Sequence, residues 1–93
     1  MREKIVEGTL VKKVKNRNGL ALKLSSPGLD GVPDRMVLFE HGRLGFVEMK
    51  APGQKMRPLQ EKRKRQLESL GFLVFCVDCV EQIEEVLDAI QGT

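Results

Sequence analysis

Two runs of strand character, Arg35 to Phe39 and Leu44 to Lys50, are joined through Glu40-His41-Gly42, and this connection limits the fold more than any other stretch of the chain. A three-residue hairpin loop with Gly42 in the left-handed conformation pairs residues whose numbers sum to 82, which sets Asp34 opposite Glu48. Side chains alternate along a strand, so Phe46, Glu48 and Lys50 share one face and Val47 and Met49 the other. A two-residue turn at His41-Gly42 would instead put Asp34 and Glu48 on opposite faces. In the first register two carboxylates stand with Cβ atoms about 4.5 to 5.5 Å apart, where they repel unless a cation lies between them.

The remaining segments are short and divided by Gly, Pro and Asn. Residues 2 to 16 read as a helix with Leu10, Val11 and Val14 on one stripe, closed by Asn16-Arg17-Asn18-Gly19, and Leu20 to Leu24 reads as a strand. Residues 25 to 33 form a loop with two Pro and two Gly that leads into Asp34. Ala51-Pro52-Gly53 ends the central strand, residues 56 to 70 form a basic helix stopped by Gly71, and Phe72 to Val77 is an apolar run of strand length. Ile83, Val86, Leu87 and Ile90 recur at helical spacing, with Asp78 and Glu81 expected as a capping box. The order is helix, three strands, helix, strand, helix (αβββαβα), and the last strand is expected to join the sheet in parallel.

A chain of 93 residues has material for one domain, 1–93, whose core must come mainly from Leu, Val, Ile and Met because only 4 Phe are present. The net charge of +3 conceals a division: all 16 Lys and Arg lie in residues 1 to 65 beside seven acids, while residues 66 to 93 hold six acids and no base. The first part therefore carries +9 and suits a polyanion, and the second carries −6. No apolar run approaches the roughly 18 residues of a membrane span, and no signal-like stretch follows Met1, so no membrane partner and a cytoplasmic location are expected.

Glu7 sits at the centre of the stripe formed by Leu10, Val11 and Val14 at i+3, i+4 and i+7, where a carboxylate is expected to be buried and so neutralised, paired or bound to metal. Hydrolysis of a phosphodiester needs stabilisation of charge on a nonbridging oxygen and an activated water, which Mg²⁺ held by one or two carboxylates supplies. Lys50 suits the companion role of holding or deprotonating that water and offsetting charge in the transition state. Lys55, Arg57, Lys62, Arg63, Lys64 and Arg65 follow where a phosphate backbone would pass, and contacts of that kind position without reading sequence.

Gly31-Val32-Pro33-Asp34-Arg35, then Phe46-Val47-Glu48-Met49-Lys50-Ala51-Pro52-Gly53, then Gln60, together resemble the PD-(D/E)XK nucleases and, within them, the VRR-NUC (virus-type replication-repair nuclease) family. The resemblance runs from Glu7 to about Val77. It implies an α/β fold with a PD-(D/E)XK nuclease-like core, a mixed central β-sheet flanked by helices. It also implies a divalent-metal-dependent DNA endonuclease using Mg²⁺ or Mn²⁺. Asp34, Glu48 and the main-chain carbonyl of Met49 would bind the metal, Lys50 would act on the water, and Glu7 and Gln60 would complete the site. Minimal stand-alone members of the family look like homodimers acting on branched DNA such as four-way (Holliday) junctions.

Blander readings stand beside these. Glu48 and Lys50 at this spacing could be a same-face ion pair worth roughly 0 to 1 kcal/mol, and Glu61 to Arg65 a solvated helix face. A noncatalytic DNA-binding module on the same scaffold is the alternative function, but it has no need of Asp34 opposed to Glu48. Cys76-Val77-Asp78-Cys79 invites a zinc or thiol-redox reading; two Cys and a single distant His41 are too few for structural zinc, and Cys76 is expected in the core. His41 is expected as a solvated turn residue, and Gln60, seven residues before Leu67, is expected to face the sheet.

Overall fold

The computed structural model describes residues 2–92. Helix α1 (Glu3–Asn16) leads into strands β1 (Leu20–Lys23), β2 (Arg35–Phe39) and β3 (Arg43–Met49), followed by α2 (Pro58–Ser69), β4 (Leu73–Val77) and α3 (Ile83–Gln91). The strands lie in the order β1-β2-β3-β4; the first two pairings are antiparallel and β3 with β4 is parallel. This is the expected αβββαβα order and mixed sheet. Among the described residues no helix is long and apolar enough to cross a membrane.

The hairpin takes the three-residue connection. Arg35 pairs with Val47, Met36 with Phe46 and Val37 with Gly45, and the turn is a single 3-10 turn, Glu40–Gly42, in which both His41 (φ 68°) and Gly42 (φ 71°) are left-handed. His41 is exposed, as its turn position implies. Beyond β2 the ladder to β1 continues through Leu24, whose N–H donates to the Asp34 carbonyl at 2.9 Å.

Alternation then divides the sheet. One face carries Val37, Phe39, Val47, Met49, Phe75 and Val77 and is covered by α1 and α3, which contribute Val6, Leu10 and Val14, and Ile83, Val86, Leu87 and Ile90. The helix lies so close to the sheet that a Cβ on Gly45 would come within 2.6 Å of the Ile90 side chain. Lys13 and Arg17 tie α1 to α3 through Glu84 and Asp88. The opposite face carries Leu20, Leu22, Met36, Leu38, Leu44, Phe46, Glu48, Val74 and Cys76, because these residues pair with one another across the strands. Helix α2 covers only part of it, and Leu20 and Leu22 remain exposed.

Three local expectations are corrected. The apolar stripe of α1 is centred on Val6, Leu10 and Val14, with Val11 only half-buried, because residues four apart follow the contact line against the sheet. Asp78 does not form a capping box with Glu81: the chain makes a 3-10 turn, Val80–Gln82, and α3 begins at Ile83, too far from Asp78 for capping. Asp78 instead accepts from the Gly53 N–H at 3.1 Å, and its own N–H donates to the Gln82 side chain. The basic helix begins at Pro58 rather than 56, since Pro suits the first helical position and holds Arg57 before it extended.

Candidate active site

Glu48 lies on β3 in the middle of the sheet, and its side chain is 3% exposed. Its Oε2 accepts from Gln60 Nε2 at 2.7 Å and lies 3.6 Å from Lys50 Nζ. Its Oε1 is buried and has no hydrogen-bond partner. Such an oxygen has been stripped of water without replacement, which is costly. Burial raises the Glu48 pKa, the neighbouring charge of Asp34 raises it further, and Lys50 opposes both; the outcome is a carboxyl pushed up to about 7.

Gln60 reaches Glu48 because of its place on α2. It is the third residue of the helix and one of the two buried polar side chains among the described residues, the other being Glu48. Its Oε1 accepts from the Arg57 N–H at 2.9 Å, so the amide caps the helix with one end and orients Glu48 with the other. The helical face shared with Leu67 foretold the orientation. A Gln at the third position of a helix beginning with Pro was the available, unused signal for the capping role.

Asp34 sits just before β2, and its Oδ2 accepts from the Met49 N–H at 2.9 Å, which fixes the carboxylate against β3 beside Glu48. The loop that delivers it is itself anchored. Gly31, at φ +83°, runs so close to α2 that a Cβ would lie 2.7 Å from the Leu59 carbonyl, and Arg63 Nε donates to the Asp30 carbonyl at 3.0 Å. A cleft of about 580 Å³ opens there, lined by Asp30, Gly31, Arg57, Pro58, Leu59 and Gln60.

Glu7 is placed differently from expectation. Its side chain is 23% exposed rather than buried, and it forms an ion pair with Arg35 Nε at 2.8 Å. Arg35 also donates to the Ala21 carbonyl and, as the partner of Val47, belongs to the α1 face of the sheet. The structure brings Asp34, Glu48, Lys50, Met49 and Gln60 together and leaves Glu7 on its arginine. Arg35, the residue after Asp34 in the GVPDR segment, is the contact that sequence reasoning missed.

Among the basic residues, Lys55, Arg57, Lys62 and Arg65 are exposed. Arg63 is half-buried on the Asp30 carbonyl and Gln66, and Lys64 pairs with Glu68. Cys76 is exposed rather than in the core, because it pairs with Glu48 on the incompletely covered face. Partial desolvation and the Glu48 charge push its thiol pKa up, the reverse of an activated thiolate.

The arrangement suits a divalent cation by its chemistry. Glu48 offers an unpartnered buried oxygen, Asp34 adds a second carboxylate, and their mutual repulsion would be relieved by positive charge. No group of three or more His, Cys, Asp or Glu side chains able to hold a metal occurs among the described residues, so further ligands would have to be main-chain oxygen and water.

No protein-family model matches the chain. It is 45% identical over 71 residues to "Putative nuclease p44" of Acyrthosiphon pisum secondary endosymbiont phage 1, a match that spans 76% of each sequence. A solved structure described as a VRR_NUC domain superposes with a TM-score of 0.86 at 29% identity, covering 92% of this chain and 94% of that one.

Proposed function

The chain belongs to the VRR-NUC family of nucleases, and from that premise we propose that it is a divalent-metal-dependent DNA endonuclease selective for branched DNA such as four-way junctions. The observation that carries the metal dependence is the buried, unpartnered Oε1 of Glu48 beside Asp34. A Mg²⁺ or Mn²⁺ ion held by Asp34, Glu48 and the Met49 carbonyl would supply charge stabilisation at a nonbridging phosphate oxygen and a more acidic water.

The protein groups have separable tasks in this reading. Gln60 occupies one oxygen of Glu48 and so keeps the other directed at the ion. The Met49 N–H fixes one oxygen of Asp34 in the same way. Lys50, half-buried with its ammonium 3.6 Å from Glu48, holds the attacking water and offsets charge that develops on the phosphate. Glu7 contributes through water from its position on Arg35. Lys55, Arg57, Lys62 and Arg65 meet the phosphate backbone, with Arg63 and Lys64 supporting the loop and helix that carry them.

Two-fold branched DNA suits paired sites, and the apolar half of the sheet where Leu20 and Leu22 are exposed beside the half-buried Met36, Leu38 and Leu44 supports a homodimer. A polyanion has no use for that patch, whereas a second copy would present the same patch to it. The test is cleavage of labelled four-way junction, flap, linear duplex and single-stranded DNA with Mg²⁺ or Mn²⁺. Preferential cutting of the junction with either ion, and none in EDTA, is the expected result; binding without cutting under both metals would replace the proposal with a noncatalytic DNA-binding module.

A further inference from the structure

Helix α1 sorts its cations by face. Lys13 and Arg17 turn inward and pair with the acids of α3. Lys4, Lys12 and Lys15 are exposed, and among the described residues none of the three forms an ion pair. At about 100° per residue, Gly8 lies two positions from both Val6 and Leu10 and so faces away from the core, with the three lysines around it on the outer surface.

Gly8 has no internal reason to be glycine. Its φ is not positive, and a Cβ built on it would meet nothing within 4 Å. Glycine inside a helix is destabilising relative to alanine, through backbone entropy. With turn geometry and internal packing both excluded, the remaining physical use is close approach of something from outside. The residue before it, Glu7, pairs with Arg35 at the start of β2, the next residue in the chain after Asp34.

We infer that the outer face of α1, formed by Lys4, Gly8, Lys12 and Lys15, is a second track for a nucleic-acid phosphate backbone, with Gly8 letting the strand close on the helix. This rests on the nuclease reading for the identity of the polyanion. It adds to that reading a surface separate from the basic residues of α2, which would guide an arm of the substrate away from the cut. The lysines supply charge without base recognition, so the track is indifferent to sequence.

The test compares wild type with Gly8→Ala, Gly8→Gln and the double variant Lys12→Gln/Lys15→Gln. Melting temperature is measured, together with binding of labelled duplex and junction DNA in EDTA across a salt series. Turnover of bis(p-nitrophenyl) phosphate with Mn²⁺, a substrate too small to reach α1, reports the chemistry alone. Both Gly8 variants are expected to melt roughly 3 to 8 °C higher, while Gly8→Gln binds DNA about tenfold more weakly, a loss of about 1.4 kcal/mol. The lysine variant is expected to flatten the salt dependence by about 1 per lysine removed, and small-substrate turnover should stay unchanged in all three. A more stable protein that binds less well is an outcome a structural role for Gly8 does not produce. Unchanged affinity and salt slope in the variants, or a lower melting temperature for Gly8→Ala, would overturn the track while leaving the nuclease reading intact. A wild type that binds DNA but turns over neither DNA nor the small diester would sink the nuclease reading, and the binding data would still decide the track.

Discussion

The two faces of one four-stranded sheet are built to opposite specifications. Against α1 and α3 the buried residues are all apolar, with the Glu7–Arg35 ion pair only half-buried at the margin, and Leu10, Val14, Val37, Val47, Met49, Val77, Leu87 and Ile90 are all fully buried. Against α2, the same strands present Glu48, whose ionised form is disfavoured by burial and by Asp34, and α2 answers with Gln60 rather than with a core residue. Alternation along β3 makes this division possible, since Val47 and Met49 support the dry side while Glu48 works on the other. The closed face supplies stability, and the open face holds a carboxyl whose ionised form costs stability. A domain of this size has little margin, so the two tasks must be kept apart.

The sharpest way to break the comparison is to injure the closed face. Leu87→Ala removes a fully buried side chain of α3 and is expected to destabilise the fold by about 2 to 5 kcal/mol in denaturant unfolding, with the site chemistry intact in whatever fraction stays folded. A loss within about 0.5 kcal/mol, the range of ordinary surface changes, would mean that face is not the source of stability.

The next effect belongs to the open face and to pH. A carboxyl with its pKa raised from 4.5 to about 7 favours folding while protonated, so the stability it lends is complete below about 4.5 and lost as pH rises through about 7. In metal-free protein the decline should amount to at most about 3.5 kcal/mol, at about 1.4 kcal/mol per pKa unit. It should shrink in Glu48→Gln and on adding Mg²⁺. Urea midpoints at pH 5 and pH 8 read this directly, and an equal decline in the variant would place its origin elsewhere.

Gly45→Ala should cost about 1 to 3 kcal/mol, because the new methyl meets Ile90 on the closed side. The smallest change in monomer stability is expected for Leu20→Lys with Leu22→Lys, about 0.5 kcal/mol or less, since both side chains are exposed. Sedimentation should nevertheless show that pair shifting a dimeric wild type to monomer. A wild type that sediments as monomer at working concentrations would remove the homodimer from the account.

Much of this division is legible in the amino-acid sequence. Read as a three-residue loop rather than a two-residue turn, the Glu40-His41-Gly42 connection gives the observed strand register, and that register sets Asp34 and Glu48 together. Gln60 was legible from its helical face. Glu7 is less buried than its stripe suggests, because a stripe in the sequence does not reveal which row of a helix meets the sheet, and Arg35 emerges as its partner only from the place of β2. Cys76 lies in an apolar run that suggests a core place, whereas α2 leaves it in the open. The Asp78-Glu81 pair matches a capping pattern that needs a helix start four residues earlier than the observed one.

The most direct test of the central claim measures stability and cleavage together in Glu48→Gln, which keeps the size of the side chain and removes its charge. At pH 8 without metal the variant should melt at or above the wild-type temperature, bind four-way junction DNA, and fail to cut it with Mg²⁺ or Mn²⁺. A variant that cuts as well as wild type, or one that unfolds as readily as Leu87→Ala, would contradict the account, because Glu48 would then be either dispensable to the chemistry or part of the structural core.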